Sequence, residues 1–259
     1  TEVEKRAVFD SADHVDSKMV ICIPSGITEV EKRAVFDSAD HVDSKETYLI
    51  HEPMAAALGI GLDVEEPIGN MVIDIGGGTT EIAVIALSGI VTDQSIRIAG
   101  DEFTNDIIDY MKRKHNILIG ERTAEQIKIN VGAAIADLTE PPPKYAVNGR
   151  DMLTGIPKQV FTTHVEVAEA LDKSIAKIEE AVLKALEDTP PELSSDIYRT
   201  GIYLTGGGAL LRGLDRRMAA KTKLNVHIAD DPLRAVVRGT GIALKNSHKY
   251  SFLMDRKSI

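Results

Sequence analysis

The chain lacks tryptophan and has one cysteine, Cys22, among its 259 residues. A single cysteine excludes an intramolecular disulfide, and its apolar surroundings favour a buried thiol over a reactive one. No apolar run approaches the roughly 20 residues that a transmembrane helix needs, and we expect no signal peptide. Positive charge is scarce, with a net charge of -10. Because an acidic chain repels phosphate backbones, we expect a cytoplasmic protein without a nucleic-acid partner.

An eighteen-residue segment, TEVEKRAVFDSADHVDSK, occurs twice without a difference, at 1–18 and 28–45. Solenoid repeats drift in sequence and need about three copies for stability, so we do not expect a repeat protein. The second copy follows an apolar strand and begins with Thr28 and Glu31, a T-x-x-E capping box that predicts a helix. We interpret the first copy, which has no preceding strand, as a duplication or a sequence-assembly error.

Predicted strands and helices alternate along the chain, which indicates the α/β class. Helical spacing of apolar residues predicts a long amphipathic helix over 165–186, which Pro190 and Pro191 end. The stretch 138–159 is predicted to be rich in loops, with irregular strands. The other predicted strands are 19–23, 47–50, 70–75, 82–87, 202–205 and 226–228, and the other predicted helices include 52–61, 100–114 and 123–134.

The first of two glycine turns, DIGGGTT, follows a buried strand and begins at Asp74. Three consecutive glycines let a backbone approach a ligand and direct its N–H groups at phosphate oxygens. The preceding carboxylate would repel a phosphate unless a divalent cation lay between them, and Mg²⁺ is commonly held by one or two carboxylates plus phosphate and water. A tight hairpin that needs glycine only for its backbone conformation is the structural alternative.

The second glycine turn, LTGGGA, lies between an apolar strand and a predicted helix, beginning at Leu204. A helix N-terminus attracts anions, but an ordinary strand-to-helix turn explains the pattern equally well. Neither turn matches the Walker or Rossmann fingerprint, which disfavours both classes. We find no histidine pair with metal-ligand spacing and no arrangement typical of a hydrolase triad.

These motifs resemble the actin, Hsp70 and sugar-kinase ATPase superfamily, and within it the MreB family of bacterial actins. The resemblance runs from residue 19 to about residue 245 and includes ICIPSGITEVEKRAV, LIHEPMAAALGIGLDVEEP, GNMVIDIGGGTTEIAVIAL, TPPELSSDI and GIYLTGGGALLRGLD. The segment IGERTAEQIK discriminates most, because Hsp70 chaperones and sugar kinases lack it. The resemblance implies an actin-like, ribonuclease H-like ATPase fold, with two lobes around an ATP cleft and an inner and an outer subdomain in each lobe.

Carried over by position, the resemblance implies an ATP and Mg²⁺ site. Asp74 would hold the cation through water, Glu52 would orient the attacking water, and Thr79 would join the phosphate contacts. Taken alone, Glu52 is simply an acid at a helix N-terminus and Lys128 a solvated charge. The implied nucleotide-binding positions are Gly76, Gly77, Gly78 and Thr79 at the phosphates, Glu125, Gln126, Ile127 and Lys128 towards the ribose and adenine, and Gly206, Gly207, Gly208 and Ala209 on the other side of the adenosine.

The sequence departs from the family at its start. The family's first phosphate loop, resembling D-x-G-T-x-N, and its first outer subdomain have no counterpart here. We therefore expect an essentially complete second lobe beside a remnant of the first, with Val20, Ile21 and Leu49 exposed. The predicted organisation is a duplicated segment at 1–18, a first-lobe remnant at 19–69, a second-lobe inner subdomain at 70–98 plus 161–247, an outer subdomain at 99–160 and a loose tail at 248–259.

The function that the resemblance implies is that of a cytoskeletal filament protein. Such a protein would polymerise with ATP at the inner face of the bacterial membrane, partner the cell-wall elongation machinery and maintain rod shape. ATP hydrolysis by this chain is left open, because half of the phosphate contacts are missing. A non-catalytic remnant that binds ATP weakly or not at all is the main alternative, and a sugar kinase is a weaker one.

Overall fold

The computed structural model describes the backbone of residues 6–10 and the whole of residues 18–41 and 44–256. The strands are β1 (Arg6–Asp10), β2 (Lys18–Ile23), β3 (Glu46–His51), β4 (Asn70–Ile75), β5 (Thr80–Ala86), β6 (Gly89–Ile96), β7 (Ile117–Leu118), β8 (Tyr145–Asp151), β9 (Pro157–Thr162), β10 (Ile202–Thr205), β11 (Val226–Ile228) and β12 (Asp255–Arg256). The helices are α1 (Glu29–Asp40), α2 (Glu52–Gly59), α3 (Gly100–His115), α4 (Glu121–Val131), α5 (His164–Glu187), α6 (Pro191–Thr200), α7 (Leu214–Thr222) and α8 (Ala235–Lys245).

A five-stranded sheet with the order β11-β10-β4-β5-β6 forms the centre of the chain, and we call it the second-lobe sheet. Strands β4, β10 and β11 are parallel, whereas β4, β5 and β6 form an antiparallel meander. Every residue of β4 and β5 is buried. Their alternate side chains reach two cores, since Ile73 and Ile82 face the helices α3 and α5, while Val72 and Ala83 face α2 and α8. The strand predicted at 82–87 is present as β5, which begins and ends earlier, and Leu87 lies beyond it and is exposed.

The outer part of the second lobe combines α3 and α4 with the three-stranded sheet β7-β8-β9. Strands β8 and β9 form a regular antiparallel pair, where the sequence predicted irregular strands. The fully buried side chains of Phe103 and Ile127 join this part to the main core. Helix α5 begins at a complete capping box of Thr163 and Glu166 and continues to Glu187, close to its predicted end.

A four-stranded sheet with the order β1-β2-β3-β12, here called the first-lobe sheet, lies beside it. Strands β2 and β3 are parallel, and β1 and β12 are antiparallel to their neighbours. Ile21 and Leu49 pack under α1, and Val20 packs under α2 and α8. The prediction that Val20, Ile21 and Leu49 are exposed was therefore wrong, because helices cover both faces of the sheet.

The two copies of the repeated segment adopt different structures. In the second copy, the predicted capping box of Thr28 and Glu31 is present and opens α1. In the first copy, residues 6–10 form β1, although the same five letters, RAVFD, recur within α1 at 33–37. The first copy thus supplies a strand to the first-lobe sheet, where the sequence alone indicated no structure.

The C-terminal segment 248–256 packs against the first lobe, so this part of the predicted tail is not loose, and its last residues, 257–259, lie outside the described part of the chain. Leu253 and Met254 are buried in the same core as α2 and α8. Asp255 pairs with Leu49 in the sheet, and its carboxylate lies 3.0 Å from Lys32 Nζ. Two buried apolar side chains and a strand pair hold a segment that its polar composition made look mobile.

The two lobes meet where α2 crosses α8. A side chain at Gly59 would place its Cβ 1.8 Å from the Ala235 carbonyl oxygen, and one at Gly239 would lie 1.7 Å from that of Ala55. Backbone therefore contacts backbone at this crossing, which only glycine permits at these two positions. The crossing fixes α2 and α8 against each other between the two sheets.

Candidate nucleotide site

The two glycine turns lie side by side at one edge of the second-lobe sheet. Asp74 and Thr205 are register partners on the parallel strands β4 and β10, so both turns leave the sheet at the carboxyl ends of neighbouring strands. Ligands of open α/β sheets bind in the crevice at this edge. Gly206 has a φ of 79°, and a Cβ there would lie 2.5 Å from Asp74 Oδ1. The glycine therefore lets the second turn contact the carboxylate of the first.

The Asp74 carboxylate is held between these turns and is 3% exposed. The Thr205 hydroxyl lies 3.1 Å from Asp74 Oδ1 and 3.3 Å from the Ile73 carbonyl oxygen. In the described part of the chain no group of three acidic, histidine or cysteine side chains could hold a metal ion. A cation here would depend on Asp74, water and a bound phosphate, which is the ligand set that Mg²⁺ tolerates best. The residues present therefore fit the predicted ion.

The first glycine turn is braced by the start of α3. The N–H groups of Gly100 and Asp101 donate to the carbonyl oxygens of Gly76 and Gly77, at 3.1 and 2.8 Å. The Gly76 N–H donates to the Thr79 carbonyl at 2.9 Å. These bonds fix the turn's carbonyl oxygens away from the cleft. Gly78 at the tip is exposed, and a Cβ there would contact nothing, which leaves room for a ligand.

Helix α4 carries the residues predicted on the ribose and adenine side. Lys128 Nζ donates to the Gly100 carbonyl at 2.7 Å and lies 2.7 Å from Glu125 Oε2. Lys128 is therefore held beside the start of α3, behind the first glycine turn, and is not a free surface charge. Gln126 is exposed, whereas Ile127 is buried in the core, so only the backbone of Ile127 could contact a nucleotide. The ligand roles of these residues remain predictions.

The second glycine turn packs against the end of β4. A Cβ at Gly208 would lie 2.2 Å from Ile75 Cγ2, and Ala209 is buried in the main core. Gly207 is exposed beside the equally exposed Leu233, whose Cδ2 would lie 3.2 Å from a Cβ at Gly207. Of the four predicted residues, Gly207 thus offers the most accessible surface, with an apolar neighbour suited to a base or a ribose.

Glu52 enters from the first lobe. It is the first residue of α2, directly after β3, and it is 8% exposed. A carboxylate in the first turn of a helix is stabilised by the helix dipole. Helix α2 packs on β4 and β5 with Val72 in its core, and Asp74, two residues further on, points to the same face. Glu52 and Asp74 therefore border the same cleft.

Register also brings Glu81 to this face, which sequence reasoning missed. Thr205, Asp74, Glu81 and Ser95 are successive partners across β10, β4, β5 and β6 and form a polar row. Glu81 is 1% exposed, and burial raises the pKa of its carboxyl, while hydrogen bonds from Ser95 and Ser25 lower it. The signal was available, because Asp74 and Glu81 are equally far from the centre of a hairpin turn.

Among the residues with described coordinates, no helix is both long and apolar enough to cross a membrane. The 24-residue α5 has the length, but charged residues cover its outer face.

Comparisons with known proteins agree with this geometry. A family profile described as MreB/Mbl protein matches residues 1–251. The chain is 47% identical to the cell shape-determining protein Mbl of Bacillus subtilis, covering 90% of this chain and 69% of the relative. It is 48% identical to the cell shape-determining protein MreB of Escherichia coli, covering 88% of this chain and 65% of the relative.

Solved structures support the same relationship. MreB5 of Spiroplasma citri bound to AMPPNP superposes with a TM-score of 0.86 at 37% identity, covering 90% of this chain and 69% of that one. A double helical filament of MamK superposes with a TM-score of 0.72 at 22% identity, covering 88% of this chain and 68% of that one, and supports the fold alone. In both comparisons this chain spans about two thirds of its relative.

Proposed function

The chain belongs to the MreB/Mbl family and has the actin-like fold, and on that premise we propose that it is a nucleotide-binding cytoskeletal protein that determines cell shape. The observation that carries the nucleotide-binding part is the meeting of two glycine turns over the buried carboxylate of Asp74. Exposed Gly78 and braced backbone around it suit the phosphates, and Gly207 suits the adenosine. Relatives in the same family bind AMPPNP and ADP, which supports ATP as the ligand.

Each residue would have a role in phosphoryl transfer that follows from its position in the site. A divalent ion, when bound, neutralises phosphate charge, and Asp74 would hold it through water. Gly77, Gly78 and Thr79 would orient the phosphates through backbone and hydroxyl donors. Glu52, across the cleft, would orient a water and accept its proton. Phosphoryl transfer needs little from a protein beyond positioning and charge neutralisation, so this small set is sufficient in kind.

Self-association, membrane location and wall synthesis complete the proposed role. Related actin-like proteins form filaments, which supports assembly of this chain with further copies of itself. We place it in the cytoplasm, at the inner face of the bacterial membrane, with the cell-wall elongation machinery as its partner. These assignments rest on the family and not on a site in this chain.

We expect weak nucleotide binding. Within the described residues, the first-lobe sheet contributes the Pro24–Gly26 turn and Glu52 to the cleft but no glycine turn. Because β1 is antiparallel to β2, its carboxyl end lies at the opposite edge of the sheet from the cleft. With phosphate contacts from one wall only, we expect a dissociation constant above about 100 µM, or a binding free energy weaker than about -5.5 kcal/mol.

Titration of the full chain with a fluorescent ATP analogue in Mg²⁺ tests the proposal. Asp74→Asn should abolish binding, and Glu66→Gln, which changes an exposed acid just before β4, should leave it unaltered. A micromolar dissociation constant would contradict our expectation, because it would show that phosphate contacts from one side of the cleft are enough for tight binding. No binding at millimolar nucleotide would refute the nucleotide-binding role.

The same antiparallel β1 favours a second candidate, a non-catalytic subunit that joins filaments of an intact relative. Co-sedimentation with such filaments distinguishes the two. A chain that pellets with them equally well with and without ATP, and that does not hydrolyse ATP, fits the second candidate.

A further inference from the structure

Glu81 connects the two lobes through its buried carboxylate. Oε1 accepts from the Ser95 hydroxyl at 2.7 Å, within the second-lobe sheet. Oε2 accepts from the backbone N–H of Ser25 at 3.2 Å, and Ser25 belongs to the first-lobe turn that follows β2. One side chain therefore holds a strand of one lobe and a loop of the other.

The turn that Glu81 holds fits closely against the second-lobe sheet. A Cβ at Gly26 would lie 3.4 Å from Ser95 Cβ, so even a methyl group there would reach van der Waals contact with the Ser95 side chain. The same turn precedes the capping box of α1, and β2 is the parallel neighbour of β3, which ends at His51, directly before Glu52. Movement of this turn would therefore move the elements that present Glu52 to the cleft.

Burial of this carboxylate is costly, because taking a carboxylate out of water costs several kcal/mol. The residues next to Glu81 on the same face, such as Ala83 and Ile85, are apolar. A leucine would continue that surface, whereas glutamate adds two acceptors that a hydrophobic residue lacks. The acceptors bind one donor from each lobe.

Glu81 is also part of the phosphate hairpin. It lies two residues after Thr79 and directly opposite Asp74 in the register of β4 and β5. A shift of the first glycine turn would therefore reach Glu81 directly, because Glu81 is the second residue of β5. We propose that Glu81 is a positioning residue that couples the phosphate turn of the second lobe to the Pro24–Gly26 turn of the first, so that nucleotide binding and lobe position change together. The nucleotide part of this inference rests on the proposed function.

The first test needs no nucleotide. Amide hydrogen exchange on the full chain would be measured at 24–27 and at 76–79 for wild type, Glu81→Leu and Glu81→Gln. Leucine removes both acceptors, and we expect exchange at 24–27 to rise at least tenfold. Glutamine can accept from Ser25 through its carbonyl and donate to the Ser95 oxygen, so exchange there should stay within about threefold of wild type.

A separate variant keeps the test decisive if Glu81→Leu does not fold. Ser95→Ala changes only the second lobe, yet it frees one side of the carboxylate, and we expect a several-fold rise in exchange at 24–27 in the other lobe. Unchanged exchange at 24–27 in both Glu81→Leu and Ser95→Ala would overturn the connection. The connection would also be overturned if Glu81→Gln raised exchange at 24–27 as much as Glu81→Leu does, at equal thermal stability.

The second test adds Mg²⁺ and AMPPNP. In wild type and Glu81→Gln, protection at 76–79 should be accompanied by protection at 24–27, and in Glu81→Leu only 76–79 should respond. Protection at 76–79 alone in wild type would refute the coupling. If neither segment responds in wild type, the nucleotide-binding role and the coupling to it both fail, while the first test still decides whether Glu81 joins the lobes.

Discussion

In the second-lobe sheet, the neighbouring parallel strands β4 and β10 each end in a glycine turn, whereas in the first-lobe sheet the parallel strands β2 and β3 end in a Pro-Ser-Gly turn and in the acidic start of α2. Both pairs border the same cleft. The glycine turns are confined to one side, and the other side supplies Glu52 and the contact with Glu81. A parallel strand pair thus provides the location, and the residues that follow it decide the chemistry.

The two sheets also differ in how they are supported. The second-lobe sheet has five strands and contacts the largest hydrophobic cluster, which includes side chains from α3, α4, α5, α6 and α7. The first-lobe sheet is completed by β1 from the first repeat copy and by the two-residue β12. Its outer face packs on a small cluster of Met19, Ile21, Ile23, Val35, Ala39 and Leu49. We expect the first lobe to be the weaker part of the molecule.

Truncation of one leucine in each core should show this difference most strongly. Leu171 is fully buried in the large cluster, and Leu171→Ala should cost about 4 kcal/mol of unfolding free energy. Leu49→Ala, in the small cluster, should cost about 2 kcal/mol, because fewer rigid neighbours surround the cavity that it leaves. Urea denaturation of both variants measures the costs. Equal losses of unfolding free energy in the two variants would contradict the expectation that the first lobe is the weaker part.

Proline in each copy of the repeat is a matched test within one sequence. Ala34→Pro interrupts α1 in its middle and should cost about 3 kcal/mol. Ala7→Pro changes the identical residue in β1, an edge strand of the first-lobe sheet, and should cost less than about 1 kcal/mol. Thermal melts followed by circular dichroism compare the two variants. A larger loss from Ala7→Pro would show that the first copy stabilises the lobe more than the second.

Two glycines of α8 allow a comparison in which the expected changes in unfolding free energy are smaller and opposite in sign. Gly239→Ala forces a methyl group against the backbone of α2 and should cost about 2 kcal/mol. Gly241→Ala, two residues on, meets nothing within 4 Å and should stabilise α8 by about 0.5 kcal/mol. Chemical denaturation distinguishes the signs. Two stabilised variants would mean that the lobes separate easily at the α2–α8 crossing.

The sequence predicted those parts of the fold in which local pattern and tertiary structure agree. The apolar runs of β4 and β5 and the spacing along α5 each indicated their element from local pattern alone, and the capping box of Thr28 did so together with the strand that precedes it. Pro190 and Pro191 were interpreted only as a stop. Pro191 in fact begins α6, since proline suits the first turn of a helix.

Long-range packing limited the rest. Val20 was expected to be exposed because much of the first lobe is missing, but α8, more than two hundred residues later, packs on β2. The position of Asp74 followed from its own motif. The pairing of Glu81 with Asp74 could have been inferred from the hairpin, but the arrival of Ser25 from the other lobe is not indicated by the residues around Glu81.

The identical pentapeptide in β1 and α1 has a consequence for the folding pathway. Local propensity is the same at 6–10 and at 33–37, so it cannot decide which segment becomes strand and which becomes helix. The decision belongs to context, because only the second copy follows β2 closely enough to nucleate a helix on its face. An unfolded chain that holds two equivalent candidates for one helix is locally frustrated, because local propensity favours neither over the other.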